Sequence, residues 1–392
     1  MRVAFGLIGG AGWTGGINYL ENLLSALSEH PDCNVQPILF AGKDADPNVL
    51  ARLLPYLSEP PILSTVWNAN KLMRLTRLIC GFGLQRDYLA EREFKRAKID
   101  IVFQHAAWYG CYFKIPTLAW IADFQHRRLP KMFSKINYYW RDFGYWALSH
   151  CASRIMVSSQ DAKKDCESYY PKSIGRVDAI PFTVKMNVKV SIAELEEIRC
   201  LYNLPVKFYF LPNQFWKHKN HLNVLEALNI IKQTGGDVVI VASGNAKDGR
   251  NPDHPQRVLE LAKLYGLNDS FIFLGLIPFH HILPLMRLSC GVVNPSHFEG
   301  WSTTVEEAKA VGAPMLLSDL PIHREQTEGK AMFFDASNPE EIADVLKHEW
   351  QFLEAGPRLD DEHSATLKNK VCRAQFAMAF GALAARTIAV ST

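Results

Sequence analysis

Residues 294–319, NPSHFEGWSTTVEEAKAVGAPMLLSD, decide how the fold of this chain is interpreted. They predict a buried strand over 290–294, a loop rich in hydroxyl groups and a helix over about 303–311. Gly312 stands where a glycine commonly follows the last turn of a helix. Such a helix favours an anion at its start, because free N–H groups, the positive dipole end and Ser or Thr donors meet there.

Two carboxylates flank this predicted anion site. Glu299 lies in the loop, and Glu307 follows eight positions later on the helix. Carboxylates are poor phosphate ligands but good acceptors for sugar hydroxyls, so the pair predicts a ligand with a sugar on each side of a diphosphate. An alternative stays open, in which Ser302 or Thr303 is an ordinary N-cap, Glu306 completes a capping box and Glu307 is a solvated surface residue.

The run Glu-Gly-Trp-Ser-Thr-Thr-Val-Glu-Glu-Ala resembles the Glu-x7-Glu signature of the retaining glycosyltransferases of family 4, and the match continues through Pro314. Residues 212–221, PNQFWKHKNH, and residues 273–296 resemble the segments that the family carries before this signature. The resemblance covers residues 205–350 strongly and the N-terminal half more loosely. It implies a GT-B fold and a hexosyltransferase that uses a nucleoside-diphosphate-sugar donor with retention at the anomeric carbon.

The resemblance also implies roles for individual residues. Glu307 would bind the ribose hydroxyls, Glu299 would lie beside the donor sugar, and Lys219 would neutralise the diphosphate. The family usually has an arginine where this chain has Gln214, so one cation is missing unless Lys217 replaces it. The further donor contacts implied are Gly15, Gly16, Leu276, Ile277, Gly300, Trp301, Ser302, Thr303 and Thr304.

The N-terminal stretch GLIGGAGWTGGINYL, residues 6–20, offers a competing interpretation. Gly10-x-Gly12-x-x-Gly15 fits the dinucleotide-binding fingerprint, which would make the protein an NAD- or FAD-dependent oxidoreductase. That function needs an acidic residue at the end of the second strand, where this chain has Ala41-Gly42-Lys43. The glycine-rich turn is therefore expected to face the donor diphosphate instead, through Gly15 and Gly16.

A second candidate site lies in WIADFQHRRLPKMFS, residues 120–134. Many family members have His-Asp at the end of this strand, whereas this chain has Ala122 before Asp123. We expect Asp123 and His126 to meet on one face of a turn and to bind the acceptor or the donor sugar. The alternative is an Asp N-cap with an exposed histidine.

Residues 127–146 mix basic and aromatic side chains. This composition is typical of a helix at a bilayer interface, and the family's frequent lipid-linked acceptors agree with a peripheral membrane contact. A helix that packs its aromatic side chains into the N-terminal core explains the same composition, and both interpretations stay open.

Alternating strands and helices predict an α/β fold with two Rossmann-like domains that face each other across a cleft. We expect an acceptor-binding domain over 1–182, a nucleotide-sugar-binding domain over 183–358 and a helical segment over 359–392 that returns to the first domain. The predicted strands are 3–8, 35–40, 99–104, 117–121, 154–157, 177–180, 208–211, 238–242, 271–274, 290–294, 314–317 and 332–334.

Composition and charge argue against several kinds of partner and site. The 392 residues carry a net charge of only +3, which gives no reason to expect a nucleic-acid partner. The eight cysteines include no C-x-x-C pair, so we expect reduced thiols and no zinc site. Asp44-x-Asp46 is interpreted as chance, and neither a metal nor a cofactor is expected. The absence of a leader or a long apolar run predicts a cytoplasmic protein, and the inner face of the cell membrane is the location to consider within the cytoplasm.

The sequence thus predicts transfer of a sugar to a glycan or lipid-linked acceptor, in surface polysaccharide or glycolipid synthesis. GDP-mannose and the UDP-hexoses are the first donors to consider. A non-catalytic scaffold of the same fold, a sugar phosphorylase or sugar-phosphate synthase, and the dinucleotide oxidoreductase remain as alternatives.

Overall fold

The computed structural model describes residues 1–9, 14–105, 107–186 and 190–389. The chain divides into two compact units, one formed by Met1–Lys185 with Val371–Thr392 and the other by Met186–Lys370. Gly10 and Gly12 of the predicted fingerprint lie outside the described residues.

The first unit contains a parallel sheet of seven strands. The strands are β1 Arg2–Gly6, β2 Gln36–Ala41, β3 Ile62–Leu63, β4 Ile101–Gln104, β5 Thr117–Trp120, β6 Arg154–Val157 and β7 Val177–Ala179. Their order in the sheet is β3-β2-β1-β4-β5-β6-β7. The helices are α1 Thr14–Glu29, α2 Pro47–Leu53, α3 Lys71–Leu78, α4 Tyr88–Arg96, α5 Gln125–Arg128, α6 Lys135–Cys151 and α7 Gln160–Tyr169, and a π-helical segment, Ile79–Gly83, follows α3.

The second unit contains a parallel sheet of six strands. They are β8 Tyr209–Leu211, β9 Ile240–Ala242, β10 Phe271–Phe273, β11 Gly291–Asn294, β12 Met315–Ser318 and β13 Met332–Phe334, in the order β10-β9-β8-β11-β12-β13. The helices are α8 Ile192–Leu201, α9 His221–Gln233, α10 His254–Leu264, α11 Ile282–Leu288, α12 Thr303–Ala310, α13 Pro321–Thr327, α14 Pro339–Phe352 and α15 Leu359–Ala389.

The two sheets confirm the predicted fold class of two Rossmann-like units. Parallel sheets carry helices on both faces, so their strands are apolar on both sides. In β8, Tyr209 and Leu211 pack into one core, while Phe210 packs into the core on the opposite face. β3 was not among the predicted strands, because its two residues are too short a pattern to identify a strand.

The last helix, α15, begins in the second unit and ends in the first. Phe380 is fully buried there and contacts Phe5 and Phe103, with ring centroids 5.9 and 5.5 Å apart. This packing confirms the predicted return of the C-terminal helix to the N-terminal domain.

The expectation of reduced thiols throughout is wrong. Cys111 and Cys151, which are 40 positions apart in the sequence, form a disulfide with Cα atoms 4.7 Å apart. The sequence could not indicate this pair, because it depends on the loop after β4 meeting the end of α6. Among the described helices, none combines the length and the apolar content that a membrane-spanning helix needs.

Candidate donor-binding site

The candidate site lies where the strand order of the second sheet reverses. β8 and β11 are neighbours there, and they are followed by the loops at 212–220 and 295–302. In open α/β sheets, ligands bind outside the carboxyl ends of the strands at such a reversal. This topology explains how Lys219 and Glu299, which are far apart in sequence, come together.

Lys219 and Glu299 form a nearly buried ion pair. The Nζ atom of Lys219 donates to Oε1 of Glu299 at 2.6 Å, and the Ser296 hydroxyl lies 2.7 Å from the same oxygen. Burial alone would raise the pKa of Glu299, but the charges of Lys219 and His323 and the hydrogen bond from Lys219 lower it to about 2. Glu299 is therefore ionised at any ordinary pH.

His323 was not identified from the sequence. This fully buried residue on α13 has its Nδ1 atom 2.8 Å from the carbonyl oxygen of Ser318, while its Nε2 atom has no partner in the described structure. Burial lowers the pKa of His323 from its usual value. Its sequence signal is only a histidine one turn after the next strand, which does not distinguish a site residue from a core residue.

Asn294 connects the loop carboxylate to the start of α12. Its Nδ2 group donates to the Ser302 hydroxyl at 2.8 Å and, at 3.4 Å, to Glu299, while its Oδ1 atom accepts from Asn213 at 3.1 Å. Thr304 donates its hydroxyl to Oδ1 of Asn213 at 3.3 Å. The amides hold the two loops in one arrangement before any ligand arrives.

The start of α12 is capped by Ser302, whose hydroxyl accepts from the N–H of Val305. The alternative of a capping box with Glu306 is wrong, because the N–H of Ser302 donates to Gln326 at 3.0 Å. Gln326 also donates its amide to the Ser302 carbonyl and to Glu306, each at 3.0 Å. Gln326, which bonds to both the N–H and the carbonyl of Ser302, was not predicted as a site residue.

Glu307 is buried one turn into α12, so the alternative of a solvated surface residue is wrong. Within the described structure no donor or cation contacts its carboxyl group, and burial alone raises its pKa to about 8. A buried acid without a partner is costly to ionise and is suited to a ligand that supplies donors.

The cation that is missing at the position of Gln214 is not replaced by its neighbours in the loop after β8. The side-chain oxygen of Gln214 accepts from the N–H of Asn245 at 2.9 Å, which ties the loop after β8 to the loop after β9. Lys217 is exposed, and its N–H donates to Asp248 at 3.1 Å. The Lys217 side chain is therefore open to solvent, and it forms no ion pair with the described residues.

The remaining residues implied for donor binding divide into three groups. Gly300, Trp301 and Thr303 are half-buried beside the start of α12, and Ser302 and Thr304 are buried there. Leu276 is exposed and Ile277 buried in the loop after β10. Gly15 and Gly16 lie in the first turn of α1, in the first unit. Their predicted contacts with the donor stay predictions.

Asp123 and His126 have separate partners in the first unit. Arg141 donates to Asp123 at 2.6 Å, while Nε2 of His126 lies 3.3 Å from Asp142. His126 is fully buried, which makes the alternative of an exposed histidine wrong. Burial and the charge of Arg141 lower the pKa of His126 to about 4, so it is neutral. Asp123 and His126 lie close enough for each to affect the pKa of the other, but among the described residues their hydrogen bonds go to different partners. Their predicted contact with a sugar stays a prediction.

The comparisons with known proteins agree with this geometry. Residues 203–349 match the family model described as glycosyl transferases group 1. The O-antigen chain mannosyltransferase RfbU of Salmonella typhimurium strain LT2 is 24% identical over 195 residues, which are 46% of this chain and 53% of RfbU. The match thus spans about half the length of that curated relative.

Solved structures show the same fold. A glycosyltransferase from Rickettsia africae ESF-5 superposes with a TM-score of 0.68 at 14% identity, over 97% of each chain. Anabaena Alr3699/HepE, in complex with UDP and glucose, superposes with a TM-score of 0.64 at 15% identity, over 100% of this chain and 97% of HepE. The predicted GT-B fold is confirmed, and the glycosyltransferase interpretation is supported for the matched domain.

Proposed function

We propose that the protein is a hexosyltransferase that moves a sugar from a nucleoside-diphosphate-sugar donor to a glycan or lipid-linked acceptor in surface polysaccharide synthesis. The observation that carries the proposal is the pair Glu299 and Glu307 around the start of α12, within the residues that match the family model. The proposal also assigns the protein to glycosyltransferase family 4 and expects the reaction to retain the configuration at the anomeric carbon.

Each part of the site has a role in this reaction. Glu307 accepts hydrogen bonds from the two ribose hydroxyls, which supply the donors that the buried carboxyl group lacks. The N–H groups of Thr303 and Thr304, which precede the one that Ser302 caps, have no intrahelical acceptor and face the diphosphate. Lys219 compensates the charge that develops on the diphosphate as the sugar leaves, and Glu299 orients Lys219 and contacts the sugar.

GDP-mannose and UDP-hexoses are the proposed donors. RfbU is named as a mannosyltransferase of the O-antigen chain, and HepE has been crystallised with UDP and glucose. The name of RfbU supports a glycan acceptor, and the UDP and glucose bound to HepE support a nucleotide-sugar donor. Neither decides the base or the sugar for this chain.

A peripheral membrane contact through residues 127–146 completes the proposal, because a lipid-linked acceptor would be presented at a membrane surface. The location in the cytoplasm, at the inner face of the membrane, stays a prediction. Structural disulfides such as Cys111–Cys151 are rare in that compartment.

A ligand panel tests the donor site. The melting temperature is measured with GDP, UDP, dTDP and ADP, their common sugars, NAD and FAD. A ligand at 100 times its Kd raises the free energy of unfolding by about 2.7 kcal/mol. Stabilisation by one nucleotide family, lost in Glu307→Ala, supports the proposal, and stabilisation by NAD or FAD alone contradicts it.

A non-catalytic scaffold remains the second candidate, because Gln214 is neutral and tied to Asn245. Slow hydrolysis of the donor, measured as release of the nucleoside diphosphate without acceptor, separates the two functions. Hydrolysis that disappears in Lys219→Ala indicates an enzyme. Tight donor binding without hydrolysis, and without transfer to lipid extracts, indicates a scaffold.

A further inference from the structure

Helix α6 has an unusual distribution of side chains. Arg141 and Asp142 face the protein, where they pair with Asp123 at 2.6 Å and with Arg127 at 2.7 Å. The face towards solvent is apolar and aromatic, with residues at helical spacing. The exposed residues are Ile136, Tyr139, Trp140, Phe143 and Trp146, between 39% and 78% accessible.

Helix α3 and the π-helical segment after it repeat this distribution. Arg77 faces inward, 2.8 Å from Asp87, and its guanidinium group lies 4.5 Å from the ring of Trp67. The outward face is again apolar. Its exposed residues are Leu72, Leu75, Leu78, Ile79 and Leu84.

The two outward faces meet. Phe82 of the π-helical segment stacks on Phe143 of α6, with ring centroids 5.3 Å apart. Phe143 in turn stacks on Trp140 and Trp146 at 6.3 and 5.7 Å. The exposed residues of α3, of Ile79–Leu84 and of α6 thus form one continuous patch, here named the α3–α6 surface.

The exposed charged residues of this surface are basic, and Asp142, the one acid of α6, is half-buried and paired with Arg127. Residues 60–86 and 124–141 contain nine Lys and Arg residues but no Asp or Glu. Five of the arginines pair with acids that lie outside these segments. Lys71, Lys131 and Lys135 are exposed, and within the described residues none of them forms an ion pair.

We propose that the α3–α6 surface binds an anionic lipid bilayer, with its apolar residues among the lipid chains and its lysines at the headgroups. The inference deepens the membrane contact of the proposed function and rests on it. To the contact through residues 127–146 it adds α3 and the π-helical segment as membrane-binding elements, and it specifies that the lipid is anionic. Trp and Tyr favour the bilayer interface, and exposed lysines near an apolar face are attracted to anionic headgroups.

Charge argues against a second copy of this chain as the occupant. A symmetric dimer sets the same patch of both subunits face to face. The lysines of the two copies would then meet without an acid to compensate them, and like charges at an interface weaken it. An anionic bilayer satisfies both the apolar residues and the lysines.

Vesicle flotation with the full-length protein tests the inference. Vesicles consist of phosphatidylcholine alone or of phosphatidylcholine mixed with phosphatidylglycerol. One variant, Leu75→Ser with Trp140→Ser, removes apolar residues from the surface, and another, Lys71→Glu with Lys131→Glu and Lys135→Glu, inverts its charge. Leu264→Ser with Phe352→Ser is the matched control, because these residues are 77% and 66% exposed on the second unit.

The wild type and the control should float with the mixed vesicles, and both surface variants should partition into them at least tenfold less. All four proteins should melt alike, since every substituted residue is solvent-exposed. Absence of binding, equal binding to neutral vesicles or an equal loss in the control overturns the inference. So does a dimer, detected by light scattering, that the apolar variant dissociates.

The vesicles contain neither donor nor acceptor, so the result is independent of sugar transfer. A protein that floats but binds no nucleotide sugar fails the proposed function alone. A protein that hydrolyses donor but does not float fails this inference alone.

Discussion

Donor binding should depend on pH through Glu307. The pKa of this buried carboxyl group is about 8, so about nine in ten molecules carry the proton at pH 7. In the proposed complex, the ribose hydroxyls donate to the ionised form of Glu307, so that donor binding expels the proton. The apparent affinity should rise about 90-fold from pH 6 to pH 9, about ninefold of it between pH 6 and pH 7.

Isothermal titration calorimetry with the nucleotide sugar that stabilises the protein measures this dependence. Titrations in buffers of different ionisation enthalpy should reveal about 0.9 proton released per donor bound at pH 7. Glu299, with a pKa of about 2, does not titrate in this range, and the pKa of His323 is also below its usual value. Glu307→Gln keeps the shape of the side chain and should bind with an affinity that does not change with pH. A flat profile in the wild type, or a slope that persists in Glu307→Gln, refutes the reasoning.

Stability provides a check without ligand. The pKa of Glu307 is higher in the folded protein than the ordinary value of 4.5, so the folded state holds the proton more tightly. The free energy of unfolding should therefore fall as pH rises above 4.5, and the fall should end near pH 8. Glu307→Gln should be more stable than the wild type at pH 8 but not at pH 4, as measured by urea unfolding.

Three further predictions concern the ion pair, the loop amide and the disulfide. Lys219→Met leaves the buried charge of Glu299 unpaired and should lower the free energy of unfolding by about 3–5 kcal/mol, as measured with urea. Adding Glu299→Gln should restore most of this loss, and an equal loss in the single and the double variant would contradict the prediction. Gln326→Ala should cost about 1–3 kcal/mol and weaken donor binding at least tenfold by calorimetry, whereas unchanged binding would limit Gln326 to a structural role. Cys111→Ser with Cys151→Ser should cost about 2–4 kcal/mol, and dithiothreitol should lower the melting temperature of the wild type but not of this variant.

The strands were predictable because each sheet is covered on both faces, so that strands such as Ile101–Gln104 are buried along their whole length. Their sequences are apolar runs bounded by turns, a signal that needs no knowledge of the partners. β3 carries no such signal. It is a two-residue extension of the sheet, and its pairing with Phe40 and Ala41 creates it.

The carboxylates of the site were predictable for a different reason. Glu299 and Glu307 belong to one continuous stretch with a recognisable spacing, and the helix between them follows from its own pattern. Gln326 was not predictable, because its partner is the backbone of Ser302, 24 positions away. The sequence shows only that such a helical residue is polar. Its hydrogen-bond partner depends on how the two helices pack after folding.

The orientation of α6 shows where helical periodicity stops being informative. Aromatic residues occur on more than one face of this helix, so the pattern could not determine which face is buried. The structure turns Tyr145 towards His126, with ring centroids 5.2 Å apart, and leaves Trp140 in solvent. The inward face is selected by the ion pairs of Arg141 and Asp142, whose partners come from other elements.

Lys219 and Gln214 together determine how a diphosphate would be held. Lys219 is already paired with Glu299, so the ligand and the glutamate must share one cation. Gln214 brings no charge, and its oxygen is occupied by the N–H of Asn245. The backbone of the first turn of α12 and the nearby hydroxyls must therefore supply much of the phosphate binding. The amides of Asn294 and Gln326 fix these groups before the ligand arrives, and dipoles that are fixed in advance need little reorganisation as charge develops. If the proposed reaction is correct, the rigid loop would supply part of the phosphate binding that an arginine would otherwise provide at the position of Gln214.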